Sequence, residues 1–184
     1  MFWIALKWAV VIAASGGACS VDVRCRRIPN QLTLPLCLIG LLCSLIAGGW
    51  AGLGDSFLGL LVAGLPFFIL WTIGGGGAGD AKMMFAIGAW LGAYDAFVAT
   101  IAVGIAGGIL SLIYAGTHKR LAAALANTTW MMFTLPFVLL GPGRFSERQK
   151  LVPASADAPL KTPYSLAMLA GTTAAAAWVF TWPH

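Results

Sequence analysis

Six acidic residues occur in this 184-residue chain: Asp22, Asp55, Asp80, Asp95, Glu147 and Asp157. A carboxylate within or bordering a long apolar run is expensive to hold there, which makes it a functional candidate. Asp22 closes the first apolar run and Asp80 opens a later one. Two carboxylates brought together in a poorly hydrated site cannot both ionise cheaply, so the pair holds a single proton near neutral pH. In that state the ionised member takes a proton from water as it attacks a carbonyl carbon, while the protonated member polarises the carbonyl oxygen. This chemistry requires no metal and no cofactor. Each residue also has a bland reading: Asp22 as a helix N-cap or an ion-pair partner of Arg24 or Arg26, and Asp80 as a plain helix cap.

Glycine crowds the approach to Asp80, at Gly74 to Gly77 and again at Gly79. Glycine permits positive φ and close backbone approach, which suits a substrate strand lying against a turn. The run also spells G-x-G-x-x-G at Gly74, Gly76 and Gly79, but it follows an apolar span and not the strand of a βαβ unit, so a dinucleotide site is set aside. Lys82 would stabilise an ionised carboxylate if it faces the site; a lysine so placed more often snorkels to phospholipid headgroups. The cysteines, Cys19, Cys25, Cys37 and Cys43, form no C-x-x-C pair, and Cys37 and Cys43 fall within an apolar run as small hydrophobes.

The elements that must position these residues are membrane helices. The chain is 60% hydrophobic and 9% charged, with a mean hydropathy of +0.89, too little polar surface to coat a water-soluble globule. At roughly 20 residues per span the length allows about six spans in one integral-membrane domain covering residues 1–184. Apolar runs recur at Phe2 to Val21, Leu32 to Gly49, Phe57 to Ile73, Met83 to Ala93, Ala96 to Ala115 and Tyr164 to Trp182. The fold expected is an all-α polytopic transmembrane bundle. The net charge of +5 is scattered in short clusters between these runs, the distribution of orientation signals and not of a nucleic-acid interface.

Arg24, Arg26 and Arg27 lie between the first two runs, whereas the loop expected from Gly48 to Asp55 carries no Lys or Arg. The first connection is therefore read as cytoplasmic and the N-terminus as outside. Lys82, and then His118, Lys119 and Arg120, return to the cytoplasmic side; Lys7 alone dissents. This orientation places Asp22 and Asp80 on one face and leaves Asp55 and Asp95 on the other. Residues 121–140 are apolar but carry basic residues on both flanks, which favours an interfacial or re-entrant helix ending near Pro142, followed by a cytoplasmic loop over 141–163. Only twelve residues separate Lys82 from Asp95, about 18 Å of helix against a hydrocarbon core of roughly 30 Å. Either the glycine-rich turn lies recessed below the cytoplasmic surface or a short helix sits in a thinned bilayer.

Three segments resemble the prepilin peptidases. Asp22 is followed six residues later by Ile28, Pro29 and Asn30, similar to that family's aspartate and I-P-N; Gly77, Gly79, Asp80 and Lys82 resemble its G-x-G-D and following lysine. Pro163 and Tyr164, opening the last run, are similar to the P-Y of the family's final helix. The resemblance implies a catalytic pair of Asp22 and Asp80 that removes the basic leader of type IV pilin-like precursors at the cytoplasmic face. It further implies a short form without N-methyltransferase activity, since the paired C-x-x-C motifs and the N-terminal region of the longer members are missing, as in tight-adherence (Flp) pilus peptidases. The competing classes are a proton- or cation-coupled transporter, for which no inverted repeat is visible, and an inactive assembly protein of a secretion system.

Overall fold

The computed structural model describes residues 2–25, 29–72, 77–117 and 164–181. All regular structure among them is helical: α1 (Phe2–Cys25), α2 (Asn30–Thr72), α3 (Ala78–Leu91), α4 (Ala93–Thr117) and α5 (Tyr164–Thr181). Residues 121–163, Ile28 and Gly74 to Gly76 lie outside the described residues, as do the side chains of Arg24, Arg26 and Arg27. α1, α2, α4 and α5 are long and apolar enough to cross a membrane. Large apolar side chains such as Leu38, Ile46, Phe97, Ile101, Ile105 and Ile109 are exposed, an arrangement that suits lipid and not water.

The sequence predicts a loop over Gly48 to Asp55; the structure shortens this connection to a sharp kink at Gly49, where two helical segments of α2 meet. Gly49 leaves helical backbone there (φ 60°, ψ −148°), a left-handed position that favours glycine. The bend turns α2 into a helical hairpin whose limbs lie along α3 in opposite directions. In the first limb Asn30 meets Lys82, and Leu36 accepts a hydrogen bond from Trp90 Nε1 at 2.8 Å. In the second, Ser56 donates to the Ala89 carbonyl, Gly59 faces Gly88 and Gly64 faces the Phe85 ring. A Cβ on Gly59 would fall 2.5 Å from the Gly88 carbonyl oxygen, so this close approach depends on the missing side chains.

Embraced by both limbs, α3 is the most enclosed element, with nine of its 14 residues buried. Met83, Met84, Ile87 and Trp90 pack with Trp8 and Val11 of α1, Phe67 of α2, Val103 of α4 and Met168 of α5 in one core. At 14 residues α3 reaches about 21 Å, short of a roughly 30 Å hydrocarbon core. The connection expected at Tyr94 and Asp95 is also shorter than read: Gly92 alone separates α3 from α4, and both residues belong to the first turn of α4. Asp55 makes this possible by accepting a hydrogen bond from Ala93 N–H at 3.1 Å, capping α4 from a neighbouring helix.

Candidate active site

α1 runs four residues beyond Val21 before it ends, so Asp22 is held in its last helical turn and is no N-cap. Its carboxylate is half-buried, and Oδ2 accepts a hydrogen bond from the Ser165 hydroxyl at 2.7 Å. Asp80 sits in the first turn of α3, three residues after the N-cap Gly77. From there its carboxylate reaches back to accept the Gly77 backbone N–H, half of a capping box. The cap expected as a bland alternative is thus present, and it also holds the carboxylate at the end of α3 where Asp22 arrives. The two carboxylates lie close enough for their charges to interact. Asp55, bound at the opposite end of α3, is kept away from them.

Gly77 itself has an ordinary extended backbone (φ −88°, ψ 138°). What it lacks is a side chain: a Cβ there would stand 2.7 Å from Asp80 Oδ2. Gly79 is half-buried within the same first turn. Asn30 and Lys82, singled out in separate motifs, meet directly, with the exposed Lys82 ammonium donating to Asn30 Oδ1 at 2.8 Å. Lys82 therefore ties the start of α2 to the start of α3. Pro29 precedes α2, and its carbonyl accepts Leu32 N–H at 3.1 Å.

The start of α5 supplies what sequence reasoning missed. Tyr164 packs edge-on against Phe67 with ring centroids 5.9 Å apart, lies against Gly107 of α4 and is near enough to sense the charge of Asp80. Ser165 beside it is fully buried on Asp22. The Pro163-Tyr164 pair marked this helix start, but a serine after it reads as an ordinary first-turn residue, and nothing in its spacing points to Asp22. Among the described residues no three His, Cys, Asp or Glu side chains converge as a metal site would require. The groups gathered here are two carboxylates, each with one neutral hydrogen-bond donor, beside a phenol; such a set suits proton transfer to and from water.

In this helical membrane bundle two aspartates far apart in sequence lie near enough for their charges to interact, an arrangement that suits acid-base chemistry. Residues 7–112 match the family model described as the type IV leader peptidase family, and the chain belongs to that family. It is 29% identical over 143 residues to a prepilin leader peptidase/N-methyltransferase of Neisseria gonorrhoeae, covering 72% of this chain and 49% of that one. A protein of the same description from Aeromonas hydrophila is 38% identical over 82 residues, 39% of this chain and 27% of the relative. One from Pectobacterium carotovorum subsp. carotovorum is 30% identical over 119 residues, 60% and 42% respectively. The matches thus span less than half of each of these relatives. No solved structure gives a significant match.

Proposed function

We propose that this chain is an aspartic endopeptidase that removes the leader peptide of type IV pilin-like precursors at the cytoplasmic face of the bacterial inner membrane. Its catalytic pair is Asp22 and Asp80. The observation that carries the reading is the approach of these two carboxylates at one end of α3, in a chain of the type IV leader peptidase family. The ionised carboxylate takes a proton from water as the water oxygen attacks the scissile carbonyl; the protonated one donates to the carbonyl oxygen. Collapse of the tetrahedral intermediate returns a proton to the leaving amine and breaks the C–N bond. The hydrophobic helix of the precursor docks laterally from the lipid, with its basic leader reaching the cytoplasmic end. The relatives' printed names join leader peptidase to N-methyltransferase; these 184 residues carry no C-x-x-C pair, which supports cleavage without methylation, in the manner of Flp pilus peptidases.

The test is reconstitution of the full chain with a pilin-like precursor, comparing wild type with Asp22→Asn and Asp80→Asn. Wild type is expected to cut, and each Asn variant to lose at least about a thousandfold in kcat, since neither can complete the acid-base pair. A wild type that leaves every precursor intact, or an Asn variant that cuts normally, would overturn the assignment.

A further inference from the structure

We propose that Ser165 is a positioning residue for Asp22, so that the last described helix, beyond residues 7–112 of the family match, completes the active site. The proposal deepens the peptidase reading and rests on it. A serine or threonine inside a helix usually turns its hydroxyl onto a carbonyl three or four residues back. In α5 Thr172, Thr173 and Thr181 all do so, donating to Met168, Leu169 and Ala177, as Ser20 does to Gly16 in α1. Ser165 is the second residue of α5, and the position four back precedes the helix. Its hydroxyl is therefore released from local bonding and directed outward, to Asp22 Oδ2 at 2.7 Å.

The backbone that delivers this hydroxyl is held from several sides. Tyr164 is wedged between Phe67 of α2 and Gly107 of α4, and Gly171, further along α5, lies directly on the backbone of Val103. Ser165 itself is 1% exposed, so water does not compete for its proton. A hydroxyl donating from this site fixes one oxygen of Asp22 and leaves the other to the reaction. At the other carboxylate, the Gly77 backbone N–H bears on Asp80. Each carboxylate of the pair thus has one neutral donor, one from the N-cap of α3 and one from the first turn of α5.

Ser165→Thr and Ser165→Val separate the hydroxyl from the packing, because the two side chains share a shape and differ in the donor. In the reconstituted full chain, Val is expected to lower kcat by about 10- to 100-fold with KM within about twofold, and Thr to recover most of that loss. Ser165→Ala makes the same comparison where a branched side chain does not fit the buried position. Infrared difference spectra add a readout independent of turnover. The carboxylate stretch assigned to Asp22 by its disappearance in Asp22→Asn is expected to shift in Ser165→Val and Ser165→Ala and to stay in place in Ser165→Thr. Unchanged kcat in the variants lacking the hydroxyl, a Thr variant as slow as Val, or an unshifted stretch would overturn the role of Ser165. A wild type that cuts no precursor would sink the peptidase reading, and the infrared comparison would still decide whether Ser165 holds Asp22.

Discussion

At the residue scale, the G-x-G-D segment shows why a glycine stands three positions before an aspartate. Gly77 has a backbone any residue could adopt, so the requirement is spatial. Its missing Cβ is the space that lets the Asp80 carboxylate fold back onto the Gly77 N–H. Gly77→Ala should therefore displace the carboxylate without unfolding α3. The expected outcome is a loss of about tenfold or more in kcat with the melting temperature nearly unchanged; kinetics equal to wild type would show that the carboxylate moves aside at no cost. The Lys82 to Asn30 hydrogen bond belongs to the same scale. It joins two motifs that the chain keeps far apart and gives both polar residues a structural reason for their positions.

At the scale of elements, the short α3 is the organising piece. One end carries Asp80, the other is closed by Gly92 and the cap from Asp55. The same 14-residue helix thus separates an aspartate proposed for chemistry from one that serves the fold. Asp55→Ala removes the acceptor for Ala93 N–H and should destabilise the bundle by about 1 kcal/mol, read as a lowered unfolding midpoint. Because the cap lies at the far end of α3, cleavage by the folded variant should remain within about twofold of wild type. A loss of activity comparable to that of Asp80→Asn would contradict this division of labour. Asp55→Asn, which keeps an acceptor oxygen, should recover most of the stability.

For the whole molecule, the hairpin in α2 determines which ends of the bundle face the same way. Asn30 is level with Lys82, and the hairpin tip, where Ile46 and Trp50 are more than four-fifths exposed, projects beyond the Asp55 end of α3. Single cysteines placed at Asn30 and at Trp50 in a cysteine-free background should therefore be labelled from opposite sides of the membrane by an impermeant thiol reagent. A reporter fused after Lys82 should share the side of Asn30. Labelling of both cysteines from one side would refute the crossing of α2 and, with it, the orientation that puts Asp22 and Asp80 at a common face.

Composition alone was enough for a polytopic helical membrane protein, because a chain so poor in charge has no other solvent in which to fold. The order and spacing of Asp22, Ile28 to Asn30 and Gly77 to Asp80 carry the family resemblance that marks the two aspartates as candidates, since local motifs survive in linear sequence. Hydropathy could not show that the connection at Gly48 to Asp55 narrows to a kink at Gly49 with helix on both sides, because glycine-rich apolar stretches read alike as loops and as tightly packed helices. Nor could it reveal the Asn30 to Lys82 bond, the cap from Asp55 or the hydroxyl of Ser165 on Asp22. Each joins residues far apart in the chain and depends on how helices pack against one another, which only the tertiary structure decides.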